Sequence, residues 1–186
     1  MSEEWKKTIE KKLSLMPNQA CVGFAVRCAK RCQPLYSFLQ ATSEDISAIA
    51  SAISTAEQVA DGRTNVALIN DADVEAARAV FTAMEAAKTH RARGAVFAAL
   101  STLSACATVR SIVNGQSPAE CAATGADDAW RAAFHVDTSR LLVPLIECDL
   151  RTLITQAESG GWTEGTPISQ SVFGPMWPES APKWWC

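Results

Sequence analysis

No stretch of this 186-residue sequence alternates polar and apolar residues over any length, and β-branched residues do not cluster. Strands carry that period-two signature, so its absence excludes a sheet protein. The chain also lacks G-x-S-x-G, H-E-x-x-H and a P-loop, which removes the enzyme classes that those motifs announce. Neither sign of charge is in excess. Lys and Arg number 17 against 20 Asp and Glu, a net charge of -3, too little to gather a phosphate backbone. The opening MSEEWKKTIEKK has no apolar core of the kind a secretory leader needs. The expectations are a cytoplasmic location, no nucleic acid and no membrane.

Seven cysteines are present, but they are scattered and odd in number and lie mostly among Ala, Val and Leu. A chain this long folds without staples, so they read as reduced thiols used as small hydrophobes. Cys28 and Cys32 stand four apart and make half a metal site; no second pair completes it. Neither metal nor cofactor is expected.

What is present is apolar periodicity at three and four residues, in a composition that is 48% hydrophobic. That pattern predicts an all-α, single-domain bundle of six to seven helices over residues 1–160, with a non-helical tail, 161–186, packed on it. A first helix covers Glu3 to Leu15, stopped by Pro17. A second, NQACVGFAVRCAKRC, is read with Val22, Phe24, Cys21, Cys28 and Cys32 on one face and Arg27, Lys30 and Arg31 on a basic solvent face. The third starts at TSED with Ser43 as its cap, carries the stripe Ile46, Ile49, Ile53 and Ala56 or Ala60, and stops at Gly62. The fourth starts at Asp71 or Asp73 and repeats Val74, Ala77, Phe81 and Met84.

From Gly94 to Val109 there is no charge at all. Val96, Phe97, Leu100, Leu103, Cys106 and Val109 project around most of the circumference, so this helix is expected to be surrounded by protein. It is too short and too rich in Ser, Thr and Ala for a membrane span of about 20 apolar residues. Ser117, Pro118 and Glu120 then start another helix, with Gly125 read as an interruption. The last runs from Thr138 to Ala157 with Pro144 in its first turns, closed by Gly160 and Gly161.

Few polar residues are candidates for chemistry. Asp149 projects into the apolar face made by Leu142, Leu145, Ile146, Leu150 and Leu153, and a buried carboxylate needs a partner. Arg110, the first charge after the bare helix, is the expected one. His135, with Asp137 and Arg140 close by, has the makings of an oriented general base, but no nucleophile neighbours it. His90, in KTHRARG, reads as a basic helix end.

The tail places Trp177, Trp184 and Trp185 among prolines that forbid regular structure. Two readings stand. The tail is a strap pinned along a helix groove, or Phe173, Trp177, Trp184 and Trp185 form an aromatic face for a partner.

The stretch FAVRCAKRCQPLYSFL, with Phe24, Arg31, Pro34 and Tyr36 in step, resembles the opening of the YjaG-like family, bacterial helical proteins of unknown function. AVFAALSTLSACATVRSIVNGQSPAECAATGADDAW is similar to that family's Ala-rich central helix, turn and second Ala-rich helix, and ECDLRTLI to its late acidic helix. Together these cover about two-thirds of the chain. Lys30 stands where the family usually has Glu, so no role of that acid is carried over. The resemblance implies a compact helical bundle and no reaction. Function is therefore expected to be non-enzymatic binding of another protein or a second copy, as in the immunity proteins of bacterial toxin systems. The alternative is a small-molecule or enzymatic bundle built on His135, Asp137, Arg110 and Asp149.

Overall fold

The computed structural model describes residues 3–38, 42–63, 69–86, 90–136 and 139–177. Among these the chain forms seven α-helices and no strand: α1 (Glu3–Leu13), α2 (Asn18–Cys32), α3 (Ser43–Ala60), α4 (Ile69–Ala86), α5 (His90–Val113), α6 (Ala119–Phe134) and α7 (Ser139–Gly160). Short 3₁₀ segments occupy Gln33–Phe38 and Gln170–Phe173. The fold is the expected all-α bundle around a central helix that is uncharged from Gly94 to Val109, and the described chain after α7 holds no α-helix.

Local signals set the ends. Thr42, one residue before the expected Ser43, caps α3 in a reciprocal box with Asp45. Gly62 and Gly115, at φ +68° and +67°, end α3 and α5 in the left-handed conformation that a side chain disfavours. Amides beyond each glycine, Arg63 N to Gln58 O and Gln116 N to Ser111 O, then close the last turn. Pro144 is accommodated inside α7. Its missing N–H falls in the second turn, close to the donors a helix start leaves unpaired anyway.

The central helix is longer than expected. It begins at His90, so His90, expected at a basic helix end, stands instead at the start of α5. By length and composition Ala92–Val113 is apolar enough to cross a membrane, which corrects the reading that it is too short. Here α2, α3, α4, α6 and the first 3₁₀ segment pack around it. Its deepest residues are small: Ala95, Ala98, Ala99, Ser101, Thr102, Ala105, Cys106, Thr108 and Val109 are buried, while Val96, Phe97, Leu100 and Leu103 are only half-buried. Small side chains let neighbouring backbones approach. Gly125 belongs to the same arrangement, since a Cβ there would meet Ser104 Cβ at 3.3 Å. It is a contact point inside a continuous α6, not an interruption. The hydroxyls that such packing buries are paired: Ser101 donates to Gly125 O at 2.8 Å, Thr108 to Ser104 O at 2.7 Å and Thr102 to Ala98 O at 3.2 Å.

The amphipathic reading of α2 does not hold. Every residue from Ala20 to Ala29 is buried, as are Arg31 and Cys32, so α2 shares the centre with α5. Cys28 and Cys32 lie inside it, and burial pushes the Cys32 thiol up to about 12 and Cys28 well above its ordinary value. All six described cysteines are free.

Candidate functional site: a diarginine strap anchor and an open helical face

Gly23, Arg27 and Arg31 recur every four residues and therefore share one face of α2. That face receives the strap. A Cβ on Gly23 would sit 2.8 Å from Ile168 Cγ2, so the glycine is the notch that seats Ile168. The Ile168 amide also donates to Ala60 O at 2.8 Å, and Gln170 Nε2 to Gly23 O at 3.0 Å. Four residues along α2, Arg27 lies 5.6 Å from the Phe173 ring centre. One turn further, Arg31 lies 5.2 Å from the Trp177 ring centre.

Both guanidiniums converge on Asp149 of α7. Arg31 holds it with two bonds, Nε to Oδ2 at 2.8 Å and Nη2 to Oδ1 at 2.9 Å, and Arg27 Nε reaches Oδ2 at 3.4 Å. All three groups are at most 4% exposed at the side chain. Burial raises the Asp149 carboxyl, with both arginines opposing the shift, and burial lowers the Arg27 guanidinium, with Asp149 opposing that shift and Arg31 adding to it. One carboxylate cannot neutralise two arginines. The surplus positive charge meets carbonyl oxygens of the strap: Arg27 donates to Gly174 O at 3.2 Å and Pro175 O at 2.6 Å, and Arg31 donates to Met176 O. Each residue from Phe173 to Trp177 thus contributes a ring face or a carbonyl to one of these arginines.

Two expectations are corrected here. Arg27 and Arg31 are not a solvent face, and the partner of Asp149 is not Arg110. Arg110 sits near the end of α5 with its side chain half exposed and pairs with Asp73 at the start of α4. The sequence held a signal for the true match. Arg27 interrupts an apolar run of α2 just as Asp149 interrupts one of α7, and opposite lone charges on two apolar faces belong together.

The aromatic residues offered for a partner divide. Phe173 is buried and Trp177 is half-buried beneath the strap's own contacts with Arg31. Trp184 and Trp185 lie outside the described residues, as does Asp137. His135 closes α6 at the other end of α5 from Arg110. Its ring stacks on Phe97 at 5.4 Å and meets the edge of Phe134 at 5.8 Å. His135, Arg110 and Asp149 are therefore three separate environments. Nor do they line the clefts at Ser47–Arg78, Cys21–Glu164 or Trp5–Glu147, of about 530, 320 and 230 Å³.

A different surface stands out. Helix α4 has two apolar rows, and the fold buries the alanines, Ala72, Ala76, Ala79 and Ala83, against α3 and α5. The expected core row is turned outward: Val74 is 64% exposed, Phe81 66% and Met84 61%. Beside it runs the half-buried row Val96, Leu100, Leu103 and Ala107 of α5. The Arg110–Asp73 pair fixes their adjacency, because Arg110 continues the α5 row and Asp73 shares the flank of α4 with Ala77, Val80 and Met84. It also fixes their direction, with the start of α4 at the end of α5.

No family model, no curated protein and no solved structure matches the chain.

Proposed function

We propose that this chain works by binding another protein through the outer face of α4 and α5, and not by catalysis. The supporting observation is the row Val74, Phe81 and Met84, each more than 60% exposed on a helix that had alanines enough to bury. Large apolar side chains grouped on a surface cost solubility unless a partner covers them. The proposal extends to a cytoplasmic, immunity-like role in a bacterial toxin system, supported by analogy between small helical proteins, and to membership of the YjaG-like family. Of the residues that carry that resemblance, Phe24, Arg31 and Tyr36 are buried and Pro34 is half-buried, which supports reading the shared pattern as one of packing.

The test is a photo-crosslinking amino acid in place of Phe81, illuminated in the native host. Covalent protein adducts at this position, absent when the probe replaces exposed Leu15 in the α1–α2 turn, are the expected result. A position 81 probe that yields no protein adduct overturns the reading.

A further inference from the structure

We infer that the α4–α5 face is the dimer interface for a second copy of this chain, forming a four-helix bundle across a two-fold axis. The inference rests on the protein-binding reading above and names its partner.

Three observations on these helices carry it. First, the two rows are spaced as bundle seams. Val74, Ala77, Phe81 and Met84 advance by three, four and three residues, and Val96, Leu100, Leu103 and Ala107 by four, three and four, the repeat that keeps one seam facing a neighbouring helix. An antiparallel helix pair with one seam exposed and the other half-buried presents the pattern of half a four-helix bundle.

Second, the charges are complementary between the two helices. Helix α4 carries Asp71, Asp73, Glu75 and Glu85 against the single Arg78, whereas α5 carries three arginines and no acid. A two-fold axis running along the helices sets α4 of one copy against α5 of the other. Because α4 and α5 are antiparallel, this brings Glu85 to Arg93 of the second copy and the acidic start of α4 to its Arg110. The same helix laid on its own copy, α4 on α4, sets acid against acid. Self-recognition by this face therefore selects one arrangement.

Third, the area suffices. A helix of 18 residues is about 27 Å long, and two helices side by side present a face roughly 20 Å wide. Once the corrugation of side chains is included, a copy seated on it covers on the order of 800 Å² per chain, the amount a stable dimer needs.

The experiment is sedimentation of the purified full-length chain, with variants at exposed positions that leave the fold's own contacts intact. The wild type sediments at twice the 19.9 kDa chain mass at about 100 µM, where an interface of standard size is occupied. Phe81→Glu sediments as a monomer with an unchanged circular dichroism spectrum. Glu85→Arg and Arg93→Glu each weaken the dimer about fivefold, and the double variant restores it, because the reversed pair is again complementary. A monomeric wild type, or a dimer indifferent to Phe81→Glu, overturns the inference. A dimer that both single reversals weaken without restoration in the double variant overturns the arrangement. The two readings fail separately: a monomer that crosslinks through position 81 to a different protein refutes the second copy and keeps the face, whereas absence of any adduct removes the face itself.

Discussion

At the scale of single residues, the group with most at stake is Asp149. It is the one carboxylate between two buried guanidiniums, so Asp149→Asn leaves two positive charges facing a neutral amide. Removing one partner of a buried pair costs about 3–5 kcal/mol, and chemical denaturation should show a loss of that order. Asp128 makes the opposite case. It has a hydrogen bond from Ser104 at 3.2 Å and no bidentate cation, and burial raises its carboxyl to about 7, with Asp127 adding to the shift and Arg131 and Lys6 opposing it. A carboxyl raised in the folded state stabilises the fold while both states are protonated. That contribution is intact below about pH 4, the ordinary value, and is lost as pH climbs through about 7. Asp128→Asn should therefore flatten the dependence of melting temperature on pH between 5 and 8 and raise it at pH 8. A wild-type profile with no decline across that range contradicts the assignment.

At the scale of elements, what decided the structure was the distance between helices. Start and stop signals are local, and the sequence therefore displays them: Gly62, Gly115 and the Thr42–Asp45 box needed only neighbours in the chain. Facing is not local. In α4 two interleaved rows fit a helical period equally well, and the alanine row is the buried one: Ala72 and Ala76 cluster with Ala52 of α3 and Cys106 of α5, small side chains that permit close approach. The same ambiguity hid the role of Arg27 and Arg31, whose position opposite Asp149 depends on a helix more than a hundred residues away. Gly23 tests the strap at this scale. Gly23→Ala gains about 1 kcal/mol in helix propensity, yet its Cβ enters a 2.8 Å approach to Ile168, and overpacking costs about 1–3 kcal/mol. Net destabilisation is expected. Combining it with Ile168→Ala, which removes the clashing Cγ2, should cost less than the sum of the two single losses. Additive losses would show that the notch does not seat Ile168.

At the scale of the whole molecule, one chain separates two uses of its apolar residues. Phe173 and Trp177 of the strap are spent inward on the arginines of α2, whereas Val74, Phe81 and Met84 of α4 are left outward. The candidate protein-binding surface consequently lies on α4, although the tail drew attention in the sequence by its tryptophans. If a second copy covers that face, folding and association are linked by mass action, and the melting temperature rises with protein concentration. Scanning calorimetry over a hundredfold dilution should show the shift in the wild type and none in Phe81→Glu. A wild-type melting temperature independent of concentration argues for a monomer.

The order of elements along the chain gives the arginine anchor a further meaning. During synthesis α2 emerges before the strap, so Arg27 and Arg31 wait while α3 to α7 are made for the carbonyls that complete their solvation. Until Gly174, Pro175 and Met176 are in place, water must supply the acceptors that their carbonyls provide to Arg27 and Arg31 in the finished fold. The anchor thereby makes the seating of the strap, and not the helices alone, the step that satisfies both guanidiniums.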